Sequence, residues 1–186
     1  MSNEVMEILK EAGAVMEGHF LLSSGLHSSI YWEKFKVLQH PHYTEKLCRI
    51  IVEHFKGKEV QVVVGPTTGG IILAFEVARQ LGVRGIFAEK EDERRVLRRG
   101  FVIAAKERAL IVDDILTTGS SIRRIIDIIN KMGAIATGVG VLVDRSQGEI
   151  EFGIPLFSCI KTAAPVYLPK QCPLCAAGIP LVRPGG

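Results

Sequence analysis

The chain has 186 residues, 47% hydrophobic and 23% charged, with a formal net charge of +3. That length can bury one sizeable core, so the expectation is a single domain over 1–186, with an N-terminal segment to about residue 40 set apart and an irregular tail from about 165 to 186. The charge is modest and not gathered in one tail, which gives no bulk electrostatic case for nucleic acid, and no apolar run approaches the roughly 18–20 residues that span a bilayer.

The opening MSNEVMEILKEAG mixes acids with apolar residues where a secretory signal would be basic and then hydrophobic, so the cytoplasm is the expected location. Val5, Ile8, Leu9 and Ala12 recur at helical spacing, with Asn3 placed to cap and Gly13 to stop a helix over 3–12. GHFLLSSGLHSSIYWE then suits two strands around a Ser-Ser-Gly turn. Pro41 fits the first turn of a helix that buries Tyr43, Leu47, Ile50, Ile51 and Phe55 and ends by Gly57. Beyond it, the apolar runs VQVVV (60–64), RGIFAE (84–89), ALIVD (109–113) and TGVGVLVD (137–144) are interleaved with helical segments at about 70–81 and 120–132. This alternation predicts an α/β fold with a central, mostly parallel sheet flanked by helices. Residues 89–100, EKEDERRVLRRG, are almost all charged and predict an exposed mobile loop or an extended hairpin. From Pro165 onward Pro and Gly accumulate without periodicity.

In such sheets ligands gather outside the carboxyl ends of the strands, where GPTTGG (65–70), DDILTTGSS (113–121) and DRSQG (144–148) all lie. One pocket can draw on all three. Asp113 and Asp114 end a buried strand, and Thr117, Thr118, Gly119, Ser120 and Ser121 lead into a helix. Its first N–H groups and the hydroxyls make a phosphate cradle, with Gly119 admitting close main-chain approach. The two carboxylates cannot also bind phosphate. They suit a vicinal diol that donates hydrogen bonds, a cation, or positive charge developing in a reaction. An N-cap beside ordinary strand-end acids explains one Asp and one Thr and leaves the rest of the run without a reason. GPTTGG alone is a strand–turn–helix corner; it is not a P-loop, because no Gly-Lys-Ser/Thr follows at the required spacing.

As a whole, LIVDDILTTGSS resembles the phosphoribosyl-pyrophosphate (PRPP) binding signature of the type I phosphoribosyltransferases, and VVVGPTTGGIILA resembles that family's pyrophosphate loop. GHFLLSSGLHSSIYWE, AEKE and VLVDRSQG are most similar to the orotate-using branch of the family, a likeness covering roughly residues 15 to 160. The tail YLPKQCPLCAAGIPLVRPGG resembles that of a bacterial and archaeal subgroup. The resemblance implies a type I phosphoribosyltransferase fold with a small N-terminal hood. It also implies transfer of phosphoribosyl from PRPP to N1 of orotate, giving orotidine 5'-monophosphate and pyrophosphate on the route to UMP.

On that resemblance Asp113 and Asp114 hold the 2'- and 3'-hydroxyls beside a sugar of oxocarbenium character. Thr67, Thr68, Gly69 and Gly70 meet the diphosphate, while Thr117, Thr118, Gly119, Ser120 and Ser121 anchor the 5'-phosphate. Lys90, with Arg94, Arg95, Arg98 or Arg99, closes over the diphosphate and excludes water. Ser24, Gly25, Thr117 and Arg145 meet orotate, the guanidinium forking onto its carboxylate or carbonyl oxygens. The implied cofactor is Mg2+, held mainly by PRPP and water and by no protein side chain directly. The implied partner is a second copy, in a homodimer sharing the mobile loop between subunits; neither membrane nor nucleic acid is expected. Three positions depart from the better-known pattern: Ser23 replaces a lysine in the hood, Gly69-Gly70 replaces Lys-Gly, and Glu93 with arginines stands where a second lysine and a histidine are familiar. Two other readings share the PRPP loop, a transferase for a purine or another base and a PRPP-sensing regulator that would carry a DNA-binding domain or a basic RNA face.

Cys48 and Cys159 read as buried thiols of a reducing compartment. His19, His27, His40, His42 and His54 show no metal-binding spacing and are expected at the surface or in packing. Cys172-Pro-Leu-Cys175 has the spacing of half a zinc knuckle, but a closed structural site needs about four ligands and no second pair follows. A reduced structural turn is therefore expected, the alternatives being zinc at Cys172 and Cys175 between two tails, or a disulfide.

Overall fold

The computed structural model describes residues 2–22, 24–66, 68–92, 94–162 and 165–184. Ser23, Thr67 and Glu93, named above, lie outside the described residues.

Helix α1 (Ser2–Glu11) buries Val5, Ile8 and Leu9, the stripe its spacing demands. It begins at Ser2, so Asn3 sits in its first turn instead of capping it. Strands β1 (Val15–Leu21) and β2 (His27–Trp32) form an antiparallel hairpin, the expected hood. Next comes α2 (Lys34–Leu38), too short for its periodicity to be legible; the Glu33 carboxylate caps it by accepting from the Phe35 N–H. Helix α3 (Pro41–Phe55) starts on its proline as expected. Its buried stripe is Thr44, Leu47, Cys48, Ile51, Val52 and Phe55, rotated slightly from the expected one, with Tyr43 and Ile50 half-buried at the margin.

The α/β alternation follows: β3 (Val62–Pro66), α4 (Gly69–Leu81), β4 (Arg84–Glu91), β5 (Arg94–Val96), β6 (Arg108–Leu116), α5 (Ser120–Lys131), β7 (Ile135–Asp144) and β8 (Leu156–Lys161). The six-stranded sheet has the order β5-β4-β3-β6-β7-β8, parallel throughout except where β4 pairs with β5. This is the expected α/β architecture. Alternation along the strands builds two cores. Val63, Leu110 and Val112 face α1, α3 and α4, while Val62, Val64, Ala109 and Ile111 face Ile122, Ile125 and Ile129 of α5. Cys48 and Cys159 are free and buried, burial pushing the Cys159 thiol up to about 12. Among the described residues no helix is long and apolar enough to cross a membrane.

Three local expectations change. The acidic pair does not end its strand, because β6 runs on through Leu116 and buries that leucine in the α5-side core. The charged segment takes the hairpin option, β4 continuing to Glu91 and pairing back with β5. The tail is not irregular: β9 (Val166–Tyr167) joins β2 to make a three-stranded sheet β1-β2-β9, a single 3-10 turn spans Pro169–Gln171, and α6 spans Pro173–Ala176. Elements this short carry no visible period, and pairing with distant residues is what orders them.

Candidate active site

Near its end, just before Ile115 and Leu116, β6 carries Asp113 and Asp114 between the hood base, the start of α4 and the loop into α5. Both carboxylates are buried. Asp114 Oδ2 forms an ion pair at 2.8 Å with Lys34 Nζ of α2, while its Oδ1 accepts from the Ile115 N–H at 2.6 Å. Asp113 Oδ1 accepts from the Asp114 N–H at 2.9 Å. Burial, and then the charge of Asp114, push the Asp113 carboxyl well above the usual carboxylate range; the Asp114 N–H, Lys34 and Arg95 oppose the shift without cancelling it. Two acids pressed together out of water thus hold negative charge at a cost, and a ligand offering hydroxyl donors or positive charge would relieve that cost.

Gly69 and Gly70 open α4 directly against this pair. A β-carbon at Gly69 would stand 1.8 Å from Asp114 Oδ2, so no side chain fits there unless the carboxylate moves. The departure from Lys-Gly at this corner has a local counterpart: the ammonium beside the acids comes from Lys34, on another element. Sequence reasoning missed Lys34, since nothing in the sequence marks it apart from its place just after the hood strand. Thr68 is exposed at the N-cap of α4.

Beyond Leu116 the chain turns into α5. Thr117, Thr118, Gly119, Ser120 and Ser121, with Asp113, line one concave pocket at the start of α5. Gly119 takes a left-handed φ of 75°, and a β-carbon there would meet the Phe152 ring at 2.8 Å, so the turn needs glycine twice over. Thr117, Thr118 and Ser120 are exposed; the N-cap Gly119 has no side chain to cap α5, and the Ser120 N–H reaches only Thr118 Oγ1, at a long 3.5 Å.

The charged hairpin sorts its cations by register. Lys90 lies opposite Arg95 and Glu91 opposite Arg94, so Lys90 and Arg95 share one face of the ribbon. Arg98 is paired with Glu91, and Arg99 with Glu89 at 2.6 Å, both acids being on the other face. Arg95 is half-buried, and burial, with the charge of Arg124, pulls its guanidinium below its usual range against the opposing charge of Asp113. The hairpin therefore brings Arg95 to the acidic pair of its own chain, while Lys90 and Arg94 remain exposed.

Arg145 follows β7, its N–H donating to Leu116 O at 2.8 Å. Its guanidinium is half-buried, burial pulls it below its usual range, and its titratable neighbour is Tyr31 of the hood. Among the described residues Arg145 Nε is a buried donor with no acceptor. A buried donor of this kind is able to take an oxygen acceptor. Ser24 and Gly25 occupy the exposed turn between β1 and β2, where the Gly25 N–H donates to Leu22 O.

A sheet-end phosphate cradle beside a buried acid pair is the arrangement that a phosphoribosyl group calls for. The family model described as a phosphoribosyl transferase domain matches residues 36–164, and the chain belongs to that family. It is 50% identical to the orotate phosphoribosyltransferase of Caldanaerobacter subterraneus subsp. tengcongensis, over 98% of this chain and 96% of that one. It is 46% identical to the enzyme of the same name from Pelotomaculum thermopropionicum, with the same coverage. Among solved structures it is similar to orotate phosphoribosyltransferase from Aeropyrum pernix, at 28% identity and a TM-score of 0.71, covering 84% of this chain and 93% of that one.

Proposed function

We infer that this chain is an orotate phosphoribosyltransferase, a pentosyltransferase of pyrimidine biosynthesis. The observation that carries the reading is the 50% identity, held over almost the whole chain, to an enzyme of that name. N1 of orotate bonds to C1' of PRPP as the bond from C1' to the diphosphate oxygen breaks; orotidine 5'-monophosphate forms and pyrophosphate leaves with the bonding electrons.

The site divides the two signs of charge that this step creates. Asp113 and Asp114 accept from the ribose hydroxyls and lie near the sugar as it becomes cationic, with Lys34 fixing the orientation of Asp114. Residues 117–121 hold the 5'-phosphate on the first turn of α5, anchoring the sugar so that C1' faces the base. The corner at 68–70 offers main-chain amides to the diphosphate. Lys90 and Arg95, on one face of the hairpin, cover the departing pyrophosphate and exclude water. Arg145 gives its unpaired donor to orotate, and Ser24 and Gly25 approach the base from the hood.

The donors around the cradle are carboxylate and hydroxyl oxygens, hard ligands that fit Mg2+. When bound through the PRPP oxygens and water, that ion would neutralise charge on the diphosphate. The working assembly is a homodimer in the cytoplasm. The dimer is supported by Ile72 and Phe75, one turn apart on α4 and 37% and 70% exposed, apolar side chains that a second copy would cover.

A spectrophotometric assay with PRPP, Mg2+ and orotate, run beside uracil, hypoxanthine, guanine, adenine and xanthine, tests the reading. Consumption of orotate alone is expected. Turnover of a different base would overturn the assignment of the base while leaving the PRPP site in place.

A further inference from the structure

A second cluster lies away from the acidic pair, where the tail meets the hood. A bulge in β1 sets two residues, Gly18 and His19, against one residue of β2 between the pairs Glu17↔Ile30 and Phe20↔Ser28. Bulges re-aim side chains, and here His19 meets His27 with the two rings 4.8 Å apart. Cys172 and Cys175 flank the first turn of α6, where residues three apart share a face. The tail reaches the hood through Val182, whose N–H donates to His19 O and whose carbonyl accepts from the Leu21 N–H. Four donor atoms from residues far apart in sequence thereby converge, all within 4.8 Å of one another.

We propose that His19, His27, Cys172 and Cys175 form a structural zinc site. The edges of the cluster are those of a metal tetrahedron. Cys172 Sγ lies 3.5 Å from His19 Nε2, Cys175 Sγ 3.8 Å from the same nitrogen, and Cys175 Sγ 3.4 Å from His27 Nδ1. Bonds of about 2.3 Å to sulfur and about 2.0–2.1 Å to nitrogen at tetrahedral angles put N···S edges at about 3.5 Å. The His19 Nε2 to His27 Nδ1 edge, 2.9 Å, is shorter than the about 3.3 Å of such a tetrahedron and opens slightly on binding.

The tautomer agrees. His19 Nδ1–H donates to Ile179 O at 2.8 Å, which leaves Nε2 with its lone pair turned to the centre of the cluster. A ligating imidazole is usually fixed in this way, by a carbonyl on its far nitrogen. His19, His27 and Cys172 are 2%, 5% and 4% exposed, and two thiolates would neutralise a divalent cation out of water. The exposed Cys175 leaves an entry path. A tetrahedral set of two sulfurs and two nitrogens selects zinc, with no open position for catalysis. The second ligand pair, His19 and His27, precedes the two cysteines in the chain, and all four ligands come from one chain, not from two tails across a dimer. The ion would tie both hood strands to the tail.

The test reads metal, not turnover, so it stands apart from the orotate assay. Full-length protein purified without added metal should carry one zinc ion per chain by elemental analysis. Cobalt exchanged into it should give the intense visible bands of a tetrahedral ion and a thiolate-to-cobalt charge-transfer band in the near ultraviolet. Cys172 and Cys175 should resist alkylation until a chelator is added. Cys175→Ser should weaken the charge-transfer band and lower zinc retention; if that variant does not fold, the wild-type cobalt spectrum and thiol protection still decide. Protein that binds neither ion and alkylates freely at both cysteines overturns the site, as does a Cys172–Cys175 disulfide found by mass.

Discussion

Near the end of β6 two carboxylates are buried side by side with Lys34 paired to one of them, whereas at the hood–tail junction two buried imidazoles and a buried thiol are packed against the exposed thiol of Cys175. Both clusters converge polar atoms on a point, but the first cannot neutralise itself without taking up a proton, and the second can remain uncharged through ordinary hydrogen bonds. In the proposed reaction, the charge of the acidic pair has a sugar of cationic character to act on. The imidazole–thiol cluster has no such demand and is free to serve stability. Burial of a polar group alone therefore does not separate a catalytic cluster from a structural one; what separates them is whether removing the group would relax the fold or loosen it.

Substitutions can break or sharpen that contrast. The largest effect is expected from Asp114→Asn, which removes charge with little change in shape and should lower kcat by about 100-fold or more, while thermal unfolding stays as high as before. Near-normal turnover in steady-state kinetics would take the acids out of the chemistry. Arg145→Ala should raise KM for orotate by about 10- to 100-fold, the worth of a hydrogen bond to a charged group, with KM for PRPP little changed. An equal rise for both substrates would remove Arg145 from the base site.

The smallest effect bears most directly on the comparison. A carboxyl whose affinity for protons is raised by folding contributes stability at low pH and loses it as pH climbs through the folded value. Ligand-free protein should therefore be stabilised by Asp113→Asn, by about 1 kcal/mol near pH 8 and by much less near pH 4, where both forms are neutral. Denaturant melts at the two pH values check this. A destabilised Asp113→Asn at both would mean that the acidic pair supports the fold.

The sheet and its crossover helices were legible because their signals are local: VVV and ALIV alternate between two cores, and the α5 isoleucines repeat at helical spacing. The acidic pair and the phosphate cradle were legible for the same reason, being contiguous. Lys34 was not, since it reaches Asp114 from a different element. Choosing among the hairpin arginines needed the β4–β5 register, which puts Arg95 on the face of Lys90 and gives Arg98 and Arg99 to acids on the other. The histidine–cysteine cluster was hidden most completely. Its cysteines show a motif only half the size of a metal site, and His19 lies 153 positions from Cys172.

The joining of tail to hood also bears on how the chain is made. Hairpin β1–β2 leaves the ribosome early, yet its third strand, and the Pro165 carbonyl that accepts from Ser28 Oγ, arrive 137 positions later. A two-stranded hairpin is marginal in water by itself. The hood, begun first, is thus finished last, after the sheet beneath it can already have folded.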